Sequence, residues 1–321
     1  MANQTLRDLV AAKNSKSAPI ISHLEKAAGI VKTANAELAN DGIKHVYQKY
    51  ISLPSLTAGT LTDGSTPTTV NKELKEVNLS IMRTHLSEPA DLLDKYPGGP
   101  RAYFNSQVPV YNEAFLQSAS KATIYGNNST FGSTSYPQGF HQIAKANSKT
   151  VTLGGASGSR TSIFAVKWNP MACSMLYAPD SVNNGKMVSF EPINGGNPVL
   201  VTTNTTTGEK RRDYQAYVFG YAGFFSATEY DVAAITQIQD ADGDRPTAQN
   251  IKTILDYVKA DPTNTFLYMN RTGKRLVEKL ADSAYSPGGF DARYNTVIDY
   301  FDTIPIVVDE NILSTETTAL D

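Results

Sequence analysis

Apolar residues at Val108, Tyr111, Phe115, Ala119 and Ala122 recur at steps of three and four, which is one face of an α-helix. Glu113, Gln117 and Lys121 repeat at steps of four on a polar face. Pro109 lies near the start, where a missing N–H costs nothing, so the pattern predicts a helix opening at Val108 or Pro109. Gly126-Asn127 stops it, because both residues tolerate a left-handed terminus. The stripe ends in small residues, Ser118, Ala119 and Ala122, which let a sheet or another helix approach closely. The segment reads as a spine lying across a sheet, or as an ordinary amphipathic helix on a globular core.

Residues 1–40 read as polar and helical, with Pro19 separating two helices and a thin stripe at Leu24, Ala27, Ala28, Val31, Ala34 and Leu38. So poor a stripe cannot anchor a terminal segment alone, and it must dock on this chain's core or on a neighbour. From Lys44 the pattern changes to strand, first in KHVYQKYISL and then in KEVNLSIMR, where Val77, Leu79 and Ile81 alternate with Asn78, Ser80 and Met82. Asp63-Gly64 marks the hairpin tip between them. The result is a two-stranded ribbon with arms of about 10 residues, on the order of 30 Å. Such a ribbon is marginal in water by itself. It needs a partner subunit or its own domain to lie on, and Tyr47, Tyr50, Asp63, Gly64, Val77, Leu79 and Ile81 are the candidate contacts.

Glu88 to Pro100 reads as a short acidic helix or turn closed by PGGP, and residues 127–160 as a turn-rich exposed loop. TSIFAVKWN predicts a buried strand ending at Trp168, and Tyr214 to Ile238 predicts long antiparallel strands. The last third alternates. A stripe of Ile251, Ile254, Leu255 and Val258 follows a Thr247 cap, TFLYM is a strand, Leu276, Val277 and Leu280 form a helix after Thr272, and TVIDYF and IPIVVD are strands. The class is α+β, without an internal repeat.

Composition changes the picture in one respect. Only 19% of the 321 residues are charged, below the usual quarter, which suits a surface covered by other protein. A net charge of −2 supplies no strong pull toward nucleic acid or anionic membrane. The opening MANQTLRDLV lacks the pattern of a signal peptide, and no apolar window approaches a membrane span, so a soluble or assembling cytoplasmic product is expected. A single cysteine, Cys173, excludes internal disulfides and sits between Met171 and Met175 as a buried apolar residue would.

Candidate chemistry is thin. Asp240, Asp242 and Asp244 alternate as in a calcium loop, but Arg245 and Ile251 stand where that loop needs Gly and Glu, which leaves a solvated turn with incidental weak calcium binding as the lesser reading. The run Gly154-Gly155-Ala156-Ser157-Gly158 meets neither the phosphate-loop nor the nucleophile-elbow pattern. His23, His45, His85 and His141 lack ligand spacing, and Lys210-Arg211-Arg212 is the one basic run. No cofactor, metal or catalytic set is expected.

Glu113-x-Phe115, Ile124-Tyr125-Gly126-Asn127 and Gly139-Phe140, in that order, resemble the major capsid proteins of tailed bacteriophages. Gly154-Gly155 with Thr161 to Trp168, the late strand Phe266, Tyr268, Asn270 and Arg271, and Phe301-x-x-Ile304-Pro305-Ile306 with Ile312-Leu313 and Thr315-Glu316 are similar to the same group. The resemblance implies the Hong Kong 97 (HK97) shell fold. Its parts would be an N-terminal arm (1–43), an extended hairpin called the E-loop with the start of a peripheral domain (44–100), a spine helix (101–126), an axial domain (127–205 and 241–321), and long peripheral strands (206–240). It implies self-assembly into hexamers and pentamers of an icosahedral shell enclosing double-stranded DNA, held non-specifically, with a portal protein and with scaffold and decoration proteins as further partners. Lys72 and Lys75 lie where some relatives form a covalent cross-link, but no motif selects them, and no cross-link is expected. The nearest alternative is an encapsulin-like cargo compartment. A metal enzyme at Asp240, Asp242 and Asp244 and a tail or adhesin subunit are more distant.

Overall fold

The computed structural model describes residues 29–52, 54, 56, 58, 69–127, 136–170, 172–178, 188–202, 208–280, 285–291 and 296–316, with no side-chain description for 285–298. The elements run α1 (Gly29–Thr33), β1 (Ala36–Leu38), β2 (Lys44–Tyr50), β3 (Lys72–Asn78), β4 (Ser80–Pro89), α2 (Ala90–Leu93), α3 (Gly99–Tyr125) and α4 (Phe140–Ala146). After them come β5 (Thr150–Thr152), β6 (Thr161–Lys167), β7 (Cys173–Tyr177), β8 (Ser189–Pro192), β9 (Val199–Thr202), β10 (Lys210–Ser226) and β11 (Val232–Ile238). Then follow α5 (Ala248–Tyr257), β12 (Thr265–Met269), α6 (Arg271–Glu278), β13 (Tyr285–Asp291), β14 (Thr296–Phe301) and β15 (Ile304–Val308).

Two sheets and one detached ribbon account for the strands. In the first sheet β10 is the axis. It pairs antiparallel with β4 from Asp213↔Pro89 to Ala222↔Ser80, and its other edge takes β9, β8 and β7 in turn. The second sheet has the order β13-β14-β15-β12-β6-β11-β5. Its central strands β6 and β12 are buried along nearly their whole length, which requires cover on both faces. Alternation divides the cover. Ile163 and Ala165 face Ile251, Ile254, Leu276 and Val277 of α5 and α6, while Phe164 and Val166 face Phe140, Ile124 and Phe224. Phe140 is the hub between the layers, with ring centroids 5.0 Å from Phe224, 5.9 Å from Phe164 and 6.0 Å from Trp168.

Several expectations are revised. The spine helix α3 opens at Gly99, not at Val108, and Pro109 lies inside it. Pro100 supplies the favoured proline of the first turn, and the left-handed Gly98 (φ 89°) ends the PGGP break one residue earlier. Residues 1–40 are not helical throughout, since α1 is one turn and β1 follows, paired parallel with β7. Residues 1–28 lie outside the described set. The loop read over 127–160 contains α4 and β5. Gly139 N–H donates to Gln142 Oε1 at the start of α4, and Phe140 anchors it in the core. The strands of Tyr214 to Ile238 do not pair with each other, because the fully apolar face of β11 takes it into the second sheet. Helix α6 is capped by Asn270, whose Oδ1 accepts from Gly273 N–H at 2.7 Å, so it starts before Thr272. The Thr247 cap on α5 is as expected, with Asn250 N–H donating to its hydroxyl.

Candidate assembly elements

The ribbon β2–β3 is a separate two-stranded sheet, paired from Lys44↔Asn78 to Tyr50↔Lys72. Away from its base it is bare, with Tyr50 59% and Leu74 67% exposed and Ile51 exposed beyond them. The base is anchored. His45 and Tyr47 set their rings 4.7 and 5.5 Å from that of Phe225 on β10, and Tyr47 and Val77 pack on Ala39, Leu79 and Leu176. Burial pushes the His45 imidazole below its ordinary value, with Glu37 partly opposing, and raises the Tyr47 phenol.

The second ribbon strand ends at Asn78, shorter than the expected run through Arg83. Leu79 is buried, and Ile81 is the second residue of β4 in the first sheet, 44% exposed. The tip residues Asp63 and Gly64 lie outside the described residues. Of the spine positions, Phe115, Ala119 and Ala122 are buried, while Val108 and Tyr111 are half-buried. Tyr111 meets Phe190 edge-on at 5.6 Å.

Two buried carboxylates that local sequence pattern does not flag tie the C-terminal segment to the arm, the spine and β6. Asp309 accepts from Ile30 N–H (2.9 Å), Ser120 Oγ (2.8 Å), and the backbone N–H and Nδ2 of Asn311 (both 2.9 Å). All four donors are neutral, and burial raises its pKa despite them. Glu316 accepts from Tyr125 OH on Oε1 and Ser162 Oγ on Oε2, each at 2.9 Å. Burial lifts it to about 7, against the pull of its hydrogen bonds and of Arg160. Gly29 abuts the Val308 carbonyl so closely that a Cβ would lie 2.4 Å from the oxygen.

The remaining candidates have structural explanations. Asp240 is engaged by Lys279 (2.8 Å) and Arg245 (2.7 Å), which hold it below the usual carboxylate range, and Arg245 also reaches Asp242. Asp244 packs on Gly154, where a Cβ would meet Oδ1 at 2.5 Å, so that glycine serves close approach. In the basic run Arg211 pairs with Asp213 and Arg212 with Asp91. His45, His85 and His141 sit on β2, β4 and α4, and among the described residues no group of three or more His, Cys, Asp or Glu is placed to hold a metal. Cys173 is buried. No described helix is long and apolar enough to cross a membrane.

The sequence model of the family described as major capsid protein GP7 matches residues 12–319. The chain belongs to that family. Among solved structures, a chain of the bacteriophage Epsilon15 structure is 17% identical and superposes with a TM-score of 0.59 over 100% of this chain and 98% of its own. The capsid protein of bacteriophage JBD30 is 11% identical, with a TM-score of 0.54 over 97% and 99%. An encapsulin from Synechococcus elongatus PCC 7942 is 11% identical over 74% of this chain, with a TM-score of 0.45. No curated protein matches in sequence. The fold is that of the HK97 type, and the chain is a phage major capsid protein that self-assembles into capsomers and resides in the virion.

Proposed function

We propose that copies of this capsid protein form hexamers and pentamers that close into an icosahedral shell around double-stranded DNA. The observation that carries this is the ribbon, whose Tyr50, Ile51 and Leu74 stay exposed on their own subunit among the described residues. Apolar groups on a two-stranded sheet are stabilised only by a third surface. A neighbour supplies it, with Tyr47, Tyr50, Val77 and Ile81 facing or flanking the contact. Each contact is modest, and closure of the shell multiplies them. The net charge of −2 suits a wall that contains DNA without gripping it at many phosphates. The role is structural, assembly takes place in the host cytoplasm, and a portal protein, a scaffold and decoration proteins are the further partners.

In this reading, residues 1–43 are the arm, 44–100 the E-loop and start of the peripheral domain, and 101–126 the spine. Strand β10 completes the peripheral domain. Residues 127–205 and 241–321 build the axial domain together with β11, whose pairing with β5 and β6 favours that side, except that β7, β8 and β9 pair with β10 and go with the peripheral sheet.

Electron microscopy of the purified protein and of infected lysate tests this directly. Closed icosahedral particles tens of nanometres across containing DNA are expected. Closed shells holding only protein cargo would favour the encapsulin reading, and rings, fibres or small oligomers under all conditions would overturn the shell.

A further inference from the structure

Besides its ring contacts with Phe225, the ribbon base is held to the body by the side chain of Asn40. Its two strands end together at the base, where Leu79 N–H donates to Ile43 O at 2.8 Å. Just before it, Asp41 and Lys44 exchange both backbone hydrogen bonds (3.0 and 2.8 Å) around Gly42, whose φ of 58° the turn requires. Asn40 reaches across this turn. Its Nδ2 donates to Val46 O at 2.7 Å, and its Oδ1 accepts from Val46 N–H at 2.8 Å. An antiparallel neighbour would offer Val46 the same pair of bonds. The amide of Asn40 therefore acts as a one-residue strand on the outer edge of β2, opposite β3.

Asn40 is itself rooted in the body. Ala39 N–H donates to Tyr177 O at 2.9 Å, and β1 pairs parallel with β7 immediately before it. The clamp thus connects the ribbon to the first sheet by a rigid path. Beneath the ribbon base there is room to move. A cleft of about 400 Å³ separates Tyr47, Glu76 and Val77 from Tyr136, Gln138 and Phe224. Asn40 pins the outer edge of β2, while on the cleft side the base rests on Phe225 through His45 and Tyr47. Each residue beyond Val46 adds about 3.3 Å of lever arm, so a turn at the clamp grows along the ribbon toward Tyr50.

We propose that Asn40 is the positioning residue that fixes the ribbon's exit direction, and that releasing it lets the ribbon swing about the Ile43–Leu79 pair into the cleft. The inference rests on the shell reading in one respect only: the exit direction matters because a neighbour must receive the ribbon. A rigid, preset ribbon loses less entropy on docking than one that samples many directions.

The test compares Asn40→Ala and Asn40→Asp with the unmodified chain. The Asn40→Asp variant keeps the acceptor for Val46 N–H and loses the donor to Val46 O. In the unassembled subunit, amide exchange at Val46 and along 44–50 is expected to quicken at least tenfold in Asn40→Ala and less in Asn40→Asp. The unfolding midpoint of the body should stay within a degree or two, since Asn40 is exposed. Under assembly conditions Asn40→Ala should give fewer closed particles of broader size, with Asn40→Asp intermediate. Unchanged exchange at Val46 would overturn the clamp. Faster exchange with normal particles would overturn its positioning role and leave the shell reading standing. A lowered midpoint that tracks the exchange would reduce Asn40 to a stability residue. Failure of the unmodified chain to form shells would strike the shell reading, while the exchange comparison still judged the clamp.

Discussion

Glu316 should make the subunit less stable as pH rises, and Glu316→Gln should remove that dependence. The carboxyl is fully buried and lifted from 4.5 to about 7, with desolvation the largest cause. A folded-state pKa above the unfolded value means that the folded chain holds the proton more tightly. The stability linked to that proton is complete below pH 4.5 and disappears as pH rises through about 7. At 1.36 kcal/mol per unit, the loss between pH 5 and 8 is about 2–3 kcal/mol. Gln is matched in size and fits the same contacts. Its carbonyl can accept from Tyr125 OH, and its amide can donate to Ser162 Oγ, whose own proton is free to rotate.

Urea unfolding of the unassembled subunit at several pH values measures this, provided the slope with denaturant is the same for both chains. The difference between the two chains isolates Glu316 from the other shifted groups, among which Asp309, Asp231 and Glu88 act in the same sense and His45, Asp213 and Asp240 in the opposite one. The two curves should separate between pH 5 and 8, with the Gln variant gaining relative to the native chain. Parallel curves would refute the reasoning, because the carboxyl would then titrate alike in both states.

Phe115→Asp places a charge at a buried spine position and should cost more than about 4 kcal/mol, enough to leave no folded subunit; a soluble, assembling variant would mean that the helix face is wrong. His45 is favoured neutral, so the ribbon base should loosen as pH falls below 6.5; His45→Phe, which keeps the ring on Phe225, should abolish the acid-induced rise in ribbon cleavage under limited proteolysis. Gly126→Ala combines a φ of 63° with a Cβ 2.1 Å from Gly139 N and should cost at least about 3 kcal/mol, whereas Gly158→Ala, with φ 86° and open space, should cost about 1; equal midpoints in denaturant would contradict the crossing of those two backbones.

Short-range pattern made the buried strands and helices of the last third legible. The alternation in TSIFAVK puts Ile163 and Phe164 on opposite faces, and the steps from Ile251 to Val258 trace the stripe that covers one of them. The ribbon was legible for the opposite reason: its β-rich arms have nothing nearby to bury against. What local pattern could not convey was where a strand changes partners. Leu79 and Ile81 continue the alternation of Val77 without a break, yet the chain passes from ribbon to sheet between Asn78 and Ser80. Nor does it convey a helix like α4, whose seven residues are held by Phe140 in a core built from distant segments. Among the candidate contacts, exposure separates Tyr50 from Tyr47, and only the position of Phe225 decides which is which.

The pairings that bind the parts together are longer-range still. Asp309 joins residues 279 and 189 positions away, and Glu316 joins residues 191 and 154 positions away. Through these two carboxylates the segment from Asp309 to Glu316 fastens the arm at Ile30, the buried part of α3 at Ser120 and Tyr125, and β6 at Ser162. Contacts so distant form late, because chain closure must be completed before they stabilise anything. Until Asp309 is in place, the N–H of Ile30 and the hydroxyl of Ser120 lack their acceptor, so the arm is free to dock elsewhere. The same residues also exact a cost, since burial raises both pKa values in spite of the hydrogen bonds. Apolar residues of equal size would pack these sites with less penalty but would not select one partner for each donor. Selecting one acceptor for each donor fixes where the arm meets the spine, and that selectivity is what the two buried carboxylates contribute.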